Sequence, residues 1–394
     1  MKELVNKEVW KVEMGIILYA GVAAVTIALA CLVTNQPQIF NGQLHRKHEF
    51  TRRQGLNTLS LLAVFTILFL LSALRLEVGN DYGTYVDTIH EIYVGGYVVT
   101  EPLFNAVVKV LCELSGGENY LLVFGVFAFA TIGIFLKTLY EQADNFSLSF
   151  FLFMTLGIYF RSFNTVRYYF VLAITLYSFR YVFRREYGKF ILLIGLSAFF
   201  HKSVLVVIPI YFIAHMAWKK WHMAVLAVGA IGMLLCQDLI MKIALELYPS
   251  YKDTIFLQTE TGLGGNLMSV LRCVAVLVLA VLCYKDDWKE AVENRFYFKL
   301  NFLAILLYLC GSFLPLVGRF GYYLMTSHVL FIPAILGSIK KEKKKKIFTV
   351  LVIVAGIVYF LLFLRSANQP GVRVLPYKSW LFYEKEFLNA ETIF

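Results

Sequence analysis

The chain of 394 residues is 59% hydrophobic and only 16% charged, with a mean hydropathy of +0.68, whereas soluble domains carry roughly 25% charged residues. That balance argues against a soluble globular enzyme and against disorder, and 35 Phe, 24 Tyr and 5 Trp supply the aromatic excess of a multi-pass membrane protein. The net charge of +11 resides mostly in short loops between apolar runs, which calls for anionic lipid rather than nucleic acid. Cys31, Cys112, Cys236, Cys273, Cys283 and Cys310 include no CxxC pair and no neighbouring His. Zinc, haem and redox sites therefore lack a ligand set, and the cysteines are expected as small buried apolar residues.

A membrane crossing needs about 20 apolar residues, and twelve candidate runs fall in order near 14–34, 56–74, 119–140, 147–163, 164–183, 189–202, 203–217, 223–247, 267–284, 297–315, 321–338 and 347–364. The first begins near Met14, carries no evident cleavage site and reads as a retained helix. The expected fold is an all-α polytopic membrane protein of about 12 helices (11 to 14), forming a single domain over residues 1–394. Lys and Arg collect in six alternate segments, beginning with Arg46, Lys47, Arg52 and Arg53 and ending with the run from Lys340 to Lys346. Basic loops stay cytoplasmic, so both termini are expected outside, with an outer loop near 75–118 and an outer tail near 365–394.

Residues 102–115 lie between two spans that both meet the outer face, so they are not a single crossing. Leu103, Val107, Val110, Leu111 and Leu114 share one helical face, Pro102 suits a first turn, and Gly116 and Gly117 end the run, which predicts an interfacial or re-entrant helix. The turns near 161–165 and 201–203 join runs of about 15 residues, each only about 22 Å long as a helix. They are expected below the outer surface, in a recessed cavity.

Ionisable groups at membrane depth are costly unless paired or hydrated, which makes those near outer span ends the candidate site. Asp81, between Tyr82 and the Gly79 turn, is either a general base for a sugar hydroxyl or a cap for the following helix. Arg161 and Arg167 straddle one short turn, and Arg319 opens the eleventh span. Guanidinium groups converging in this way suit a diphosphate, which they grip bidentately, although snorkelling structural arginines have the same distribution. Arg75 and Glu101 belong to the same outer set, and His201 with Lys202 ends an otherwise apolar run, where imidazole is a candidate base. Two other features have plainer readings: Asp238 and Lys242, four apart, as an intrahelical salt bridge, and the glycines at 262–265, which lack the Lys-Ser/Thr of a P-loop, as a flexible outer loop. Arg272, within the ninth span, has no assigned ligand.

These pieces in this order resemble the EpsG family of Wzy-like polysaccharide polymerases. The shared residues are Arg75, Val78 to Tyr82 and Tyr85; Glu101 to Phe104; Asn164 to Arg167; and Phe199, Phe200, His201, Lys202 and Ser203. Tyr248 to Tyr251, Gly318 to Phe320 with Tyr322 and Tyr323, and Leu375 to Ser379 complete the series. Asn80 stands where the family usually has Thr, and Tyr168 where it commonly has Gln. The resemblance implies a glycosyltransferase-like polymerase of the bacterial cytoplasmic membrane that joins undecaprenyl-diphosphate-linked oligosaccharide repeat units on the outer face, as in exopolysaccharide, capsule or O-antigen synthesis. The lipid diphosphate leaves, His201 or Asp81 serves as base, and Arg167, Arg161, Arg319, Arg75, Lys202 and Glu101 bind substrate, with no cofactor and no metal. Partners are then the lipid-linked oligosaccharides, membrane lipid and a chain-length regulator. The rivals are a lipid-saccharide flippase, which the one-sided placement of these residues and the lack of a clear internal repeat disfavour, and an O-antigen ligase-like transferase.

Overall fold

The computed structural model describes residues 2–34, 52–247, 263–283, 291–314, 317–369 and 371–382. Helix makes up 79% of them, and among the described residues the β structure is a single isolated antiparallel bridge between Arg75 and Ser379. The helices are α1 (Lys2–Cys31), α2 (Arg52–Ala73), α3 (Tyr82–Val94), α4 (Pro102–Leu114), α5 (Tyr120–Gln142), α6 (Phe146–Thr155), α7 (Ile158–Arg161), α8 (Val166–Phe183) and α9 (Tyr187–Ala198). A 3-10 turn (Lys202–Val206) leads into α10 (Val207–His215), α11 (Lys220–Leu235), α12 (Gln237–Leu247), α13 (Leu263–Cys283), α14 (Val292–Cys310), α15 (Val317–Met325), α16 (His328–Gly337) and α17 (Glu342–Ser366).

Among the described residues, six stretches are long and apolar enough to cross a membrane: Trp10–Cys31, Arg52–Ala73, Tyr120–Gln142, Asn266–Cys283, Val317–Gly337 and Glu342–Ser366. The last has a mean hydropathy of 3.0 yet is only 28% buried. Val350, Val354, Ile357 and Leu361 are exposed on it, an apolar surface suited to lipid. A further pair, α11 and α12, bends by 82° at its break. Each of the twelve predicted runs corresponds to helix, but several are interrupted. The run 147–163 breaks at Gly157, whose φ of +72° is a left-handed conformation that glycine adopts without strain. The pieces α6, α9 and α10, at 10, 12 and 9 residues, are each too short to cross alone.

Two compact units divide the chain. One contains the described residues of Met1–Ile174, Phe199–His201 and Val350–Phe394; the other those of Thr175–Ala198 and Lys202–Thr349. In the first, α2 packs on α5, and α1 on α2 and α6. Asn119 and Asn145 accept hydrogen bonds from Leu122 and Leu148, each 2.9 Å, and so cap α5 and α6. The C-terminal segment returns over the turn after α2: Leu76 N–H donates to the Lys378 carbonyl (2.9 Å), Gly79 N–H to Arg373 (2.9 Å) and Trp380 N–H to Leu74 (3.0 Å). Tyr19, fully buried, donates its hydroxyl to the Val374 carbonyl at 2.7 Å. In the second unit, α14 packs on α13, α15 and α10. Its interior includes a buried polar chain, His328 Nε2 to Asn301 Oδ1 (2.8 Å) and Asn301 Nδ2 to the Cys273 carbonyl (2.9 Å).

Four expectations need revision. Asp238 and Lys242 share α12 but form no ion pair among the described residues; both are exposed, where a pair contributes little. Gly264 and Gly265 belong to the first turn of α13 rather than to a loop, and Gly262 lies outside the described residues. Cys31 and Cys236 are exposed while the other four cysteines are buried. On α4 the buried face is Phe104, Val108 and Cys112, whereas Leu103, Val110 and Leu114 are exposed. The helix is therefore apolar on two sides, one packed on protein and one outward, which suits an interfacial position. The motif at 248–251 lies outside the described residues.

Candidate functional site

The site grows from three chain breaks in the first unit: the turn before α3, the start of α4 and the start of α8. Gly79 makes the first possible. Its φ is +106°, and a Cβ there would lie 2.4 Å from the Phe163 carbonyl oxygen, so the turn at 79–81 lies directly against the 163–165 turn. Across this contact Asp81 N–H donates to Asn164 Oδ1 (3.1 Å), and Thr165 Oγ1 donates to Asp81 Oδ2 (3.0 Å). Asp81 occupies the N-cap position of α3, but its side chain makes no capping bond. Its carboxylate is directed to α8 instead, so capping does not account for it.

Below this junction lies an aromatic floor. Tyr82, Tyr85, Phe104, Phe124, Phe127 and Val166 form one buried cluster, with Phe170 and Phe200 packed against it. Burial of such side chains contributes roughly 1.5–3 kcal/mol each, which anchors α3, α4, α5 and α8 together. Tyr85 also accepts a hydrogen bond on its hydroxyl from the Arg167 backbone N–H (3.3 Å), fixing the first turn of α8.

At the start of α4, Pro102 holds the first helical position and Glu101 the N-cap. Leu103 N–H donates to the Phe199 carbonyl at 3.1 Å, which ties the segment after α9 to α4 and places His201 beside Glu101. The Glu101 carboxylate then meets both Arg167 and His201. Its Oε2 pairs with Arg167, and its Oε1 accepts from His201 Nδ1 at 3.3 Å. The three side chains are only 12%, 19% and 11% exposed for Glu101, Arg167 and His201, so solvent screens the pairing weakly. Because an ionised carboxylate only accepts, Nδ1 carries the proton and Nε2 the lone pair of the neutral ring. The Arg167 guanidinium lies over Phe104 (5.0 Å) and Tyr85 (5.8 Å), a cation–π seat that fixes it from below. The Tyr168 ring meets His201 edge-on at 5.7 Å.

The remaining expected residues have the following surroundings. Arg75 is 2% exposed; its guanidinium donates to Ser72 at the end of α2 and lies over Phe124 (4.7 Å) and Phe163 (5.4 Å). Burial is the main influence lowering its pKa from the usual arginine value, opposed by nearby tyrosines. Arg161 ends α7 and lies over Phe363 at 5.4 Å, so it and Arg167 have different neighbours. Lys202, exposed in the 3-10 turn, and Arg319, in α15, belong to the second unit. Among the described residues no three His, Cys, Asp or Glu side chains gather as a metal-holding group. Asn164 and Thr165 were not singled out individually by sequence reasoning, although the Asn164 to Arg167 motif contains both, and Tyr85 entered only as a motif residue.

Together, the lipid-length apolar helices and a largely buried carboxylate–guanidinium–imidazole cluster at helix ends define a multi-pass helical membrane protein with a polar site packed against aromatic rings. The EpsG family model matches residues 58–379, and the chain belongs to the EpsG family. That membership points to a polysaccharide polymerase-like membrane protein. No curated protein and no solved structure matches the chain.

Proposed function

We propose that the protein is a polysaccharide polymerase that joins undecaprenyl-diphosphate-linked oligosaccharide repeat units on the outer face of the bacterial cytoplasmic membrane. The growing chain, attached through diphosphate to its lipid, is the donor. A hydroxyl of the incoming lipid-linked unit attacks the donor's anomeric carbon and gives its proton to His201 Nε2 or to Asp81. The bond between that carbon and the phosphate oxygen breaks, and the lipid diphosphate leaves with the bonding electrons. Arg167 stabilises the charge that develops on it, as a preorganised cation in a poorly hydrated site does. Arg161, Arg319 and Lys202 are further candidates for binding the substrate's phosphates, each to be tested by its own substitution. Fixed cations supply the electrophilic assistance, so the proposed chemistry uses no metal and no cofactor.

The observation that supports this reading best is the pairing of Arg167 and His201 through one carboxylate, which sets a candidate phosphate-binding cation beside a candidate base. The orientation is part of the proposal: an even number of spans, about twelve, with both termini and the 79–81, 101 and 201 junctions on the outer side. The test is to supply purified protein with synthetic lipid-diphosphate repeat units. Elongation without nucleotide sugar or divalent metal is expected, and strict dependence on either refutes the chemistry.

A further inference from the structure

Glu101 has a position that the proposed reaction does not use. Its carboxylate occupies the guanidinium that is meant for phosphate, and at the same time it holds the imidazole that is meant to be the base. A carboxylate and a phosphate present similar oxygens to an Arg fork, so the two are competitors for Arg167. The guanidinium does not depend on Glu101 for its place, because Phe104 and Tyr85 seat it from below. Its Nε–H is buried without a hydrogen-bond partner, so the guanidinium has a donor that Glu101 does not satisfy. Glu101 is equally well fixed, since it is the residue before Pro102 and the N-cap of α4 with extended backbone (φ −70°, ψ 147°).

We infer that Glu101 is a substrate-displaced gate, holding Arg167 in the empty site and yielding it to an arriving diphosphate, which frees the carboxylate from the guanidinium while it stays on His201. This rests on the proposed function and deepens it: Glu101 becomes a positioning residue that couples donor binding to the base. A carboxylate engaged by a guanidinium supports a neighbouring imidazole less than one released from it. Once released, it orients the ring through Nδ1 and stabilises the imidazolium formed when Nε2 takes the acceptor's proton, the role a carboxylate plays behind a catalytic histidine. The base then acts fully only when a leaving group is seated, which restrains proton transfer in the absence of donor.

The gate makes an unusual prediction, because removing the charge of Glu101 should improve binding and impair turnover. Full-length protein in detergent is titrated with farnesyl diphosphate, a short soluble probe of the lipid carrier, and turnover is followed separately on lipid-linked repeat units. Glu101→Gln is expected to bind the probe more tightly by up to about fivefold, the range for a modest ion pair no longer in competition, and to turn over at least about tenfold more slowly. Arg167→Ala is the control. If it binds the probe as well as the unaltered protein does, the proposed phosphate site itself is wrong and the gate falls with it. If Arg167→Ala binds poorly but Glu101→Gln binds no tighter, or turns over normally, the gate is wrong while the phosphate site stands. Should Glu101→Gln fail to fold, Glu101→Asp decides by the same criteria, since it keeps the charge but withdraws it by one methylene from both partners.

Discussion

Gly79→Ala offers the sharpest probe of how the site is assembled. The added methyl would sit 2.4 Å from the Phe163 carbonyl oxygen, 3.0 Å from its carbon and 3.1 Å from Asn164 Cα. All three are backbone atoms that cannot rotate away. An L-residue at φ +106° adds backbone strain of about 1–3 kcal/mol. To relieve the overlap the two turns must part, which costs the Asp81–Asn164 and Asp81–Thr165 hydrogen bonds at about 1 kcal/mol each. The sum is roughly 3–5 kcal/mol, or a fall in apparent melting temperature on the order of 10 °C. Since Asp81 and the start of α8 move together, polymer formation should fall with stability. Gly83→Ala is the matched control, four residues along in α3 with nothing within 4 Å of its Cβ; it should be neutral or slightly stabilising. Thermal unfolding in detergent and a chain-elongation assay read both variants. If Gly79→Ala matches Gly83→Ala in both, the close approach of the two turns is not what orders the site.

Further predictions concern the chemistry and the packing. His201→Ala and Asp81→Asn should each lower turnover by roughly 10²-fold if that side chain is the base, and a near-native rate removes the candidate. Tyr168→Gln exchanges the ring beside His201 for the family's common amide; turnover should change while farnesyl diphosphate affinity holds, and an altered affinity would place Tyr168 in phosphate binding instead. Tyr19→Phe leaves the Val374 carbonyl without its buried donor, so a loss of about 1–2 kcal/mol is expected in unfolding measurements, and an unchanged midpoint would show that the C-terminal segment is not anchored there. A cysteine at the exposed Asn80 should react with an impermeant thiol reagent from outside the cell; labelling only from the cytoplasm would reverse the orientation.

Much of the helical framework was legible in the chain, because lipid-length apolar runs are local signals. Breaks inside runs were harder to read. Gly157 splits the run 147–163, but a glycine within an apolar stretch does not by itself announce a left-handed turn. The buried face of α4 was also written in the sequence: Phe104, Val108 and Cys112 recur every four residues, and they were overlooked because the opposite side of the helix is apolar as well. For the site, residue type and motif order singled out Asp81, Glu101, Arg167 and His201, but their pairing was not readable. Glu101 and His201 are 100 residues apart, and the 74–79 turn meets a C-terminal segment some 300 residues away. Only tertiary packing reveals that the carboxylate serves both the guanidinium and the imidazole.

A structure of the full chain with undecaprenyl diphosphate bound, determined by electron cryo-microscopy in lipid nanodiscs, tests the central claim most directly. The account requires phosphate oxygens within hydrogen-bond distance of the Arg167 guanidinium, with His201 beside the position of the departing sugar. Phosphates bound at another surface, with Arg167 still paired to Glu101, would contradict it.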